Sequence, residues 1–259
     1  MKYFCLLVCI FFVPIVLTAQ NQDLKTIEHL IDNGRSEAVY QDLNLFLKNH
    51  PSNSQAYFLR AKYYYNFQSF KAALQDVDMA LKFEKNNAKY YHLKGDILFG
   101  LKKYFSAAEN FEKTFSLDST FQNCRYKAAQ SYLKAQKFQQ AEKVLKNHAF
   151  TDSTKLLLSE IYLEGGDVIS ALKTINTVEK KDAEFYRQRG IVLCNAQWYK
   201  ESIADFFMAL DLNPNLTDVY LFRGLSYYFL GQKQNAKDDW NTALKNRHFK
   251  AKEYLDKYR

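Results

Sequence analysis

Apolar and small residues recur along the chain with helical spacing, in pairs of short segments, and the pattern is clearest in residues 183–216. In the first segment they are Tyr186, Gly190 and Leu193, and in the second Tyr199, Ser202, Phe206 and Ala209. Spacings of three and four residues place side chains on one face of a helix. Pro214 follows the second segment, and proline cannot continue a helix. The stretch therefore predicts two amphipathic helices joined by a short turn.

Numbered from Ala183, these residues stand at positions 4, 8, 11, 17, 20, 24, 27 and 32. The set resembles the tetratricopeptide repeat, a helix-turn-helix unit of 34 residues. The resemblance implies that each repeat buries its apolar face by stacking on the next repeat. It predicts an all-α protein, a right-handed α-solenoid of antiparallel helix pairs.

The same pattern can be aligned with the rest of the chain, although two of the predicted repeats close a few residues early. The alignment predicts about seven repeats followed by a capping helix, which covers the last exposed layer. The predicted ranges are a signal peptide at 1–19, a degenerate repeat at 20–53, repeats at 54–87, 88–121, 122–151, 152–182, 183–216 and 217–250, and the capping helix at 251–259.

The glycines support this alignment. Position 8 lies inside the first helix, where glycine costs about 1 kcal/mol relative to alanine, so its presence indicates close approach of a neighbouring helix. Position 15 ends the first helix, where a left-handed backbone conformation is needed. Position 8 holds Gly95, Gly190 and Gly224, and position 15 holds Gly34, Gly166 and Gly231.

The first nineteen residues are predicted to be a secretory signal peptide. Lys2 precedes an apolar run, Tyr3–Leu17, which is followed by Thr18 and Ala19. The run is about 15 residues long, short of the roughly 20 that span a bilayer, so cleavage after Ala19 is the favoured interpretation. An uncleaved anchor is the open alternative. We expect a chain secreted across the inner membrane, which is periplasmic or envelope-associated if its source is bacterial.

Cysteine usage in the exported chain is sparse. Cys5 and Cys9 lie in the predicted signal, which leaves Cys124 and Cys194, two repeats apart. Because packed helices lie about 8 to 10 Å apart, these two thiols are predicted to be well beyond the roughly 7 Å reach of a disulfide. We therefore expect both to be reduced.

The charge is modestly basic and dispersed. The formal net charge is +8, and loss of Lys2 with the signal lowers it to +7. The densest portion is the tail Lys245–Arg259, which reads as a solvated helix face or, alternatively, as a contact for anionic lipid or polyanionic sugar. Nucleic acid is not an expected partner of an exported chain. Membrane association through an uncleaved signal or through a partner is left open, as is the oligomeric state.

Motifs of catalysis and cofactor binding are missing from the sequence. It contains no G-x-G-x-x-G, no Walker loop, no G-x-S-x-G and no H-E-x-x-H. The five histidines are scattered and form no metal-ligand spacing. Cys194 has no histidine near it in its repeat and is interpreted as a small apolar filler. We predict no enzyme activity, no metal and no cofactor.

The resemblance implies a concave binding groove lined by the first helix of each repeat, at positions 2, 5, 9 and 12. A carboxylate clamp of this family uses Lys and Asn at positions 5 and 9, and no pair here matches it. At the last repeat, Leu221, Leu225 and Tyr228 are interpreted as core beneath the capping helix. The candidate protein-binding residues are Lys62, Tyr65, His92, Asp96, Phe99, Tyr126, Gln130, Glu160 and Arg187.

The predicted function is a non-catalytic protein-protein interaction scaffold in the exported compartment. It would bind a protein or peptide segment, or an envelope complex partner, in its groove. The alternative is a carbohydrate-binding module that uses Tyr65, Phe99 and Tyr126 as stacking platforms.

Overall fold

The computed structural model describes residues 24–32, 37–146 and 151–258. The predicted signal peptide and Gly34 lie outside these ranges. Within them the chain forms fifteen α-helices and no strand, which confirms the all-α class. The helices are α1 (Leu24–Asp32), α2 (Glu37–Asn49), α3 (Ser54–Asn66), α4 (Phe70–Phe83), α5 (Ala88–Gly100), α6 (Tyr104–Leu117), α7 (Asn123–Lys134), α8 (Phe138–Lys146), α9 (Asp152–Glu164), α10 (Val168–Ile175), α11 (Ala183–Asn195), α12 (Tyr199–Leu212), α13 (Thr217–Phe229), α14 (Lys233–Lys245) and α15 (Ala251–Lys257).

These helices belong to two compact units, one within Met1–Ser119 and the other within Thr120–Arg259. In each unit, consecutive helices pack as pairs, such as α3 with α4 in the first unit and α11 with α12 in the second. The second helix of a pair also contacts the first helix of the next, as α4 contacts α5 and α12 contacts α13. Predicted stacking of helix pairs is thereby confirmed within each unit, whereas the residue ranges of the individual repeats stay predictions.

The turns after α3, α5, α7, α9, α11 and α13, the first helices of their pairs, share one backbone geometry. Gly166 and Gly231 adopt positive φ angles of 86° and 79°, a region open to glycine, which confirms the prediction for position 15 at these two residues. The N–H of the residue after the turn donates to a carbonyl five residues earlier, as Trp198 donates to Leu193 at 2.9 Å, and this bond closes the first helix. The same left-handed conformation is adopted, with φ of 56° to 63°, by Gln68, Lys102, Gln136 and Gln197.

Close approach of the neighbouring helix at position 8 is also confirmed, because each of these glycines faces an aromatic ring of the second helix. A Cβ atom on Gly190 would lie 2.6 Å from the Phe206 ring, closer than carbon atoms pack. The corresponding distances are 2.6 Å from Gly95 to Phe111 and 2.5 Å from Gly224 to Trp240. Where position 8 is alanine or serine, the residue sixteen places later is aliphatic. These pairs are Ala61 with Val77, Ala129 with Leu145, and Ser159 with Ile175.

An ion pair links the two helices of three pairs, and the sequence analysis missed it. An arginine on the first helix donates two hydrogen bonds to an aspartate sixteen residues later, and each aspartate is buried. The hydrogen bonds to Asp205 raise the pKa of Arg189. A two-bond arginine–carboxylate pair fixes the geometry as well as the charge balance. The three pairs are Arg60–Asp76, Arg189–Asp205 and Arg223–Asp239.

The second helices α8 and α10 are short, with 9 and 8 residues against the 14 of α12. After α10 the chain is tied back to the start of α9 by polar contacts. The Asp152 carboxylate accepts hydrogen bonds from the backbone N–H groups of Glu179 and Lys180, at 3.1 and 2.9 Å. The Lys155 ammonium donates to the carbonyl of Thr177 at 2.9 Å. These hydrogen bonds hold the segment between α10 and α11 against the start of α9.

The last helix, α15, packs over the end of the second unit. The Tyr258 ring lies 4.8 Å from that of Tyr228 and 5.5 Å from that of Trp240, measured between centroids. Leu221 is 2% exposed and belongs to the same apolar cluster. The interpretation as core beneath a capping helix is therefore confirmed for Leu221 and Tyr228. Leu225 is partly buried and does not belong to this cluster.

The cysteines and the helix lengths add two observations. No disulfide joins Cys124 and Cys194, which are both buried. None of the helices described above is long and apolar enough to cross a membrane.

Candidate protein-binding surface

The nine predicted binding residues lie on first helices, but the two compact units divide them. Lys62 and Tyr65 are on α3, and His92, Asp96 and Phe99 are on α5, all in the first unit. The second unit holds Tyr126 and Gln130 on α7, Glu160 on α9 and Arg187 on α11. Two separate candidate surfaces follow, and each is described within its own unit.

In the first unit, Lys62 forms ion pairs with acids of its own chain. Its ammonium lies 2.5 Å from an Asp32 carboxylate oxygen and 4.0 Å from one of Glu28, both on α1. The Lys62 side chain is only 25% exposed. This lysine therefore links α3 to α1, and a ligand would have to compete with two acids for it.

The other candidates of the first unit also contact one another or their neighbours. The Nδ1 atom of His92 lies 3.4 Å from an Asp96 carboxylate oxygen. Burial and the nearby Asp96 carboxylate raise the pKa of Tyr65. The Phe99 ring meets the Tyr104 ring edge-on, with 5.2 Å between centroids. This surface is polar and aromatic, and its charged groups are largely paired within the fold.

In the second unit, the first helices α7, α9, α11 and α13 contact one another in chain order. A Gln188 side-chain N–H donates to the Leu156 carbonyl at 2.7 Å and joins α11 to α9. This packing brings the second-unit candidates onto neighbouring helices. The surface that they form, here named the Glu160 surface, comprises Tyr126, Gln130, Glu160, Arg187 and Asp218.

On the Glu160 surface, Arg187 is satisfied by two acids. Its guanidinium donates two hydrogen bonds to Glu184 and one, at 2.8 Å, to Asp218 on α13. The hydrogen bond to Glu184 raises the pKa of Arg187. The contact between Asp218 and Arg187 was not predicted from the sequence. The arginine therefore joins α11 to α13 and is not available as a free cation for a ligand.

Glu160 is different, because its carboxylate has no hydrogen bond and no ion pair among the residues that the structure describes. It is partly buried, and burial raises its pKa above the ordinary value. The more distant cations of Lys134 and Arg187 oppose that rise without cancelling it, while the Glu164 and Glu184 carboxylates add to it. The chain thus keeps a partly desolvated carboxylate beside an arginine that other acids neutralise.

Tyr126 and Gln130 lie on α7, the helix adjacent to that of Glu160. Burial and then the Glu160 carboxylate raise the pKa of the half-buried Tyr126 phenol. The residues that define the surface carry two carboxylates, on Glu160 and Asp218, against the one cation of Arg187. The Glu160 surface is therefore acidic, although the whole chain is basic.

The described part of the chain was compared with the side-chain arrangements that bind metal ions. Within residues 24–32, 37–146 and 151–258, no group of three or more His, Cys, Asp and Glu side chains is arranged to hold a metal ion.

Solved structures resemble this chain closely in fold. A tetratricopeptide repeat protein from Parabacteroides merdae aligns with a TM-score of 0.70 at 16% identity, covering 90% of this chain and 96% of that one. The chain has the tetratricopeptide-repeat fold. The C-terminal part of a second repeat-containing protein of this kind, from Cytophaga hutchinsonii, aligns with a TM-score of 0.66 at 13% identity, covering 90% of this chain and 99% of that one.

Two further similarities concern multi-protein assemblies. The sequence profile of the family "anaphase-promoting complex, cyclosome, subunit 3" matches residues 77–148. The tetratricopeptide fold of this chain also aligns with a chain of the Cut9–Hcn1 hetero-tetramer of that complex, with a TM-score of 0.58 at 18% identity, over 86% of this chain and 45% of that one. Among curated proteins, none is significantly similar to this sequence.

Proposed function

We propose that this protein is a non-catalytic scaffold that binds a polypeptide segment along the Glu160 surface, through a basic side chain of that segment. One observation carries the proposal: Glu160 is partly buried without an ionic partner, while its neighbour Arg187 is held by two other acids. A partly buried charged side chain that forms no ion pair within the fold is a candidate for binding a ligand.

The energetics favour a cation as the ligand group. A desolvated carboxylate destabilises the folded chain unless it is paired, so a lysine or arginine that arrives with a ligand regains part of that energy. The Tyr126 ring, on the helix α7 that contacts α9, offers a face to which a cation is also attracted, by about 0.5 to 2 kcal/mol. The Gln130 amide on the same helix can bond to the backbone of an extended segment. Together these groups suit a basic, extended peptide.

The tetratricopeptide fold is consistent with this role. The structure of the Cut9–Hcn1 hetero-tetramer contains a similar chain assembled with other protein chains. That assembly belongs to those proteins, and for this chain it supports only the general idea of a scaffold.

Export from the cytoplasm is part of the proposal. We infer from the sequence of residues 1–19 that the chain is exported and acts in the periplasm or at the envelope. Fractionation of cells together with mass spectrometry of the N-terminus tests this inference. Mature protein that begins at Gln20 in the periplasmic fraction is expected, and a cytoplasmic chain that retains Met1 would contradict it.

Crosslinking in envelope extract, followed by affinity capture and mass spectrometry, tests the binding function. The wild-type chain is expected to capture a protein in stoichiometric amount, and Glu160→Gln combined with Tyr126→Ala is expected to lose it. Glu201→Gln serves as the matched control because Glu201 is an exposed acid on the second helix α12. Equal capture by the double variant and by the control would contradict the assignment of the surface.

A further inference from the structure

A second surface of the second unit is built differently, from one exposed ring and several cations. It is the turn between α14 and α15, and we define it, as the basic turn, by Leu244, Lys245, Arg247, Phe249, Lys250 and Lys252. Phe249 is 82% exposed, more than any other large hydrophobic residue in the described ranges. Leu244 is 44% exposed, and the four cations are exposed as well.

The basic turn is held in a fixed conformation by backbone hydrogen bonds. The His248 N–H donates to the Ala243 carbonyl at 2.9 Å, and the Ala251 N–H donates to the His248 carbonyl at 3.1 Å. Ala251 is fully buried and anchors the start of α15. The His248 ring stacks on the Phe249 ring, with 5.2 Å between centroids and 17° between planes. Phe249 is therefore displayed on an ordered turn.

The charges around Phe249 are of one sign. Residues 244–252 contain no acid, and the first carboxylate after them is Glu253. Among the residues that the structure describes, Lys245, Arg247 and Lys250 have no acidic partner within ion-pair distance. The Lys250 ammonium lies over the Phe249 ring, 5.6 Å from its centroid, so charge and apolar surface are contiguous.

We propose that the basic turn docks the protein on an anionic phospholipid bilayer, with Phe249 inserted between the headgroups. Cations near an anionic bilayer are attracted to its surface potential, and an apolar ring gains free energy by leaving water at the headgroup boundary. A sugar or a nucleobase can stack on one face of the Phe249 ring, but a bilayer removes both the ring and the exposed Leu244 side chain from water. The combination therefore favours a membrane. This role is independent of the Glu160 surface.

Co-sedimentation of the full chain with phosphatidylcholine vesicles, with and without about one third phosphatidylglycerol, tests this proposal. The apolar run Tyr3–Leu17 can bind lipid in every variant, so the readout is the gain in binding that the anionic lipid causes. The wild type is expected to gain at least tenfold. Lys245→Gln, Arg247→Gln and Lys250→Gln together are expected to abolish that gain, and Phe249→Ser is expected to reduce it several-fold.

The matched control removes three exposed cations elsewhere in the second unit, with Lys173→Gln, Lys200→Gln and Lys233→Gln. It lowers the net charge equally and is expected to keep most of the gain. Three results would overturn the proposal: equal binding to both kinds of vesicle, equal losses in the two triple variants, or a Phe249→Ser variant that binds anionic vesicles as wild type does. The last, with tight retention on heparin, would assign the turn to soluble polyanions.

Discussion

The neighbouring helix pairs α9/α10 and α11/α12 differ in how their polar side chains are satisfied. In α11/α12, Arg189 pairs with Asp205 between the helices, and Arg187 pairs with Glu184 and with Asp218 of the next helix. In α9/α10, the Glu160 carboxylate has no such partner among the described residues. The pair α11/α12 therefore uses its charges to stabilise the fold, whereas α9/α10 leaves one carboxylate available for a ligand.

Both pairs nevertheless share one internal hydrogen bond, which runs in opposite directions. In α11/α12 the Ser202 hydroxyl on the second helix donates to the Gly190 carbonyl at 2.9 Å. In α9/α10 the Ser159 hydroxyl on the first helix donates to the Ala171 carbonyl at 3.0 Å. Both helix pairs are thus joined by a hydrogen bond from a serine hydroxyl to a backbone carbonyl, although the serine lies on different helices of the two pairs. The Glu160 carboxylate, by contrast, has no corresponding partner on either helix of its pair.

The largest expected effect comes from filling the space between Gly190 and Phe206. Gly190→Leu is expected to destabilise the chain by about 1 to 3 kcal/mol, near the upper limit, because even a Cβ atom would lie 2.6 Å from the ring. Urea unfolding measures the loss. In a double-mutant cycle, Gly190→Ala and Phe206→Leu should partly compensate each other, with a coupling energy of about 1 kcal/mol. A neutral Gly190→Leu variant would contradict the packing.

Removing one partner of the Arg189–Asp205 pair is expected to have the next largest effect. Arg189→Ala leaves the buried Asp205 carboxylate without its cation and should cost about 2 kcal/mol, less than for a fully buried pair because Arg189 is 29% exposed. Replacing both, with Arg189→Met and Asp205→Leu, should recover most of the loss. The pairing would have no structural role if both variants unfolded at the same urea concentration as wild type.

Exchanging the turn residues of the two pairs should give a smaller effect. Gly166→Gln places a side chain at a φ of 86° and is expected to cost about 1 kcal/mol. Gln197→Gly removes the strain of a positive φ from the corresponding turn of α11/α12 and should stabilise the chain. The increase in stability should be smaller than the loss in Gly166→Gln, because glycine also loses more chain entropy on folding. Thermal unfolding of both variants measures the difference. A Gly166→Gln variant that is more stable than wild type, or a Gln197→Gly variant that is less stable, would contradict the equivalence of the two turns.

Glu160→Gln is expected to stabilise the chain slightly, by about 0.5 kcal/mol at neutral pH. The folded pKa of Glu160 is raised above its unfolded value of about 4.3, so ionisation disfavours the fold as pH rises through that range. The gain should therefore be present at neutral pH and vanish in acid, where both states are protonated. Glu184→Gln is the control, and it should show no gain because Glu184 pairs with Arg187. A loss for Glu160→Gln at neutral pH would mean that this carboxylate stabilises the fold.

Much of the fold could be predicted because the repeat imposes its spacing on many residues at once. Position 8 of the 183–216 repeat shows the limit of that prediction. Its glycine indicated a close helix contact, but the partner ring on Phe206 was not identified, although glycine and an aromatic ring sixteen residues apart recur three times in the sequence. The Arg189–Asp205 pair has the same spacing and was missed because charged residues were interpreted as solvated or as ligand-binding, and not as partners of one another within a helix pair.

The binding surface was predicted less completely, because a sequence shows which face a residue occupies but not whether another side chain already satisfies it. Lys62 and Arg187 stand at predicted binding positions, yet acids of the chain hold both. Glu160 stands at the same kind of position without such a partner. Only distances between side chains of different helices distinguish a charged residue that is already paired from one that is not. No such distance can be read from a single sequence.

The most direct test of the Glu160 surface is the position-specific preference of peptides selected from a random display library on the full-length chain. The wild type is expected to enrich lysine or arginine at one position of the selected peptides. Glu160→Gln should abolish that enrichment, while Glu201→Gln, on the second helix α12, should retain it. Peptides without a preferred cation, or an enrichment that persists in Glu160→Gln, would contradict the assignment of Glu160 as the binding carboxylate.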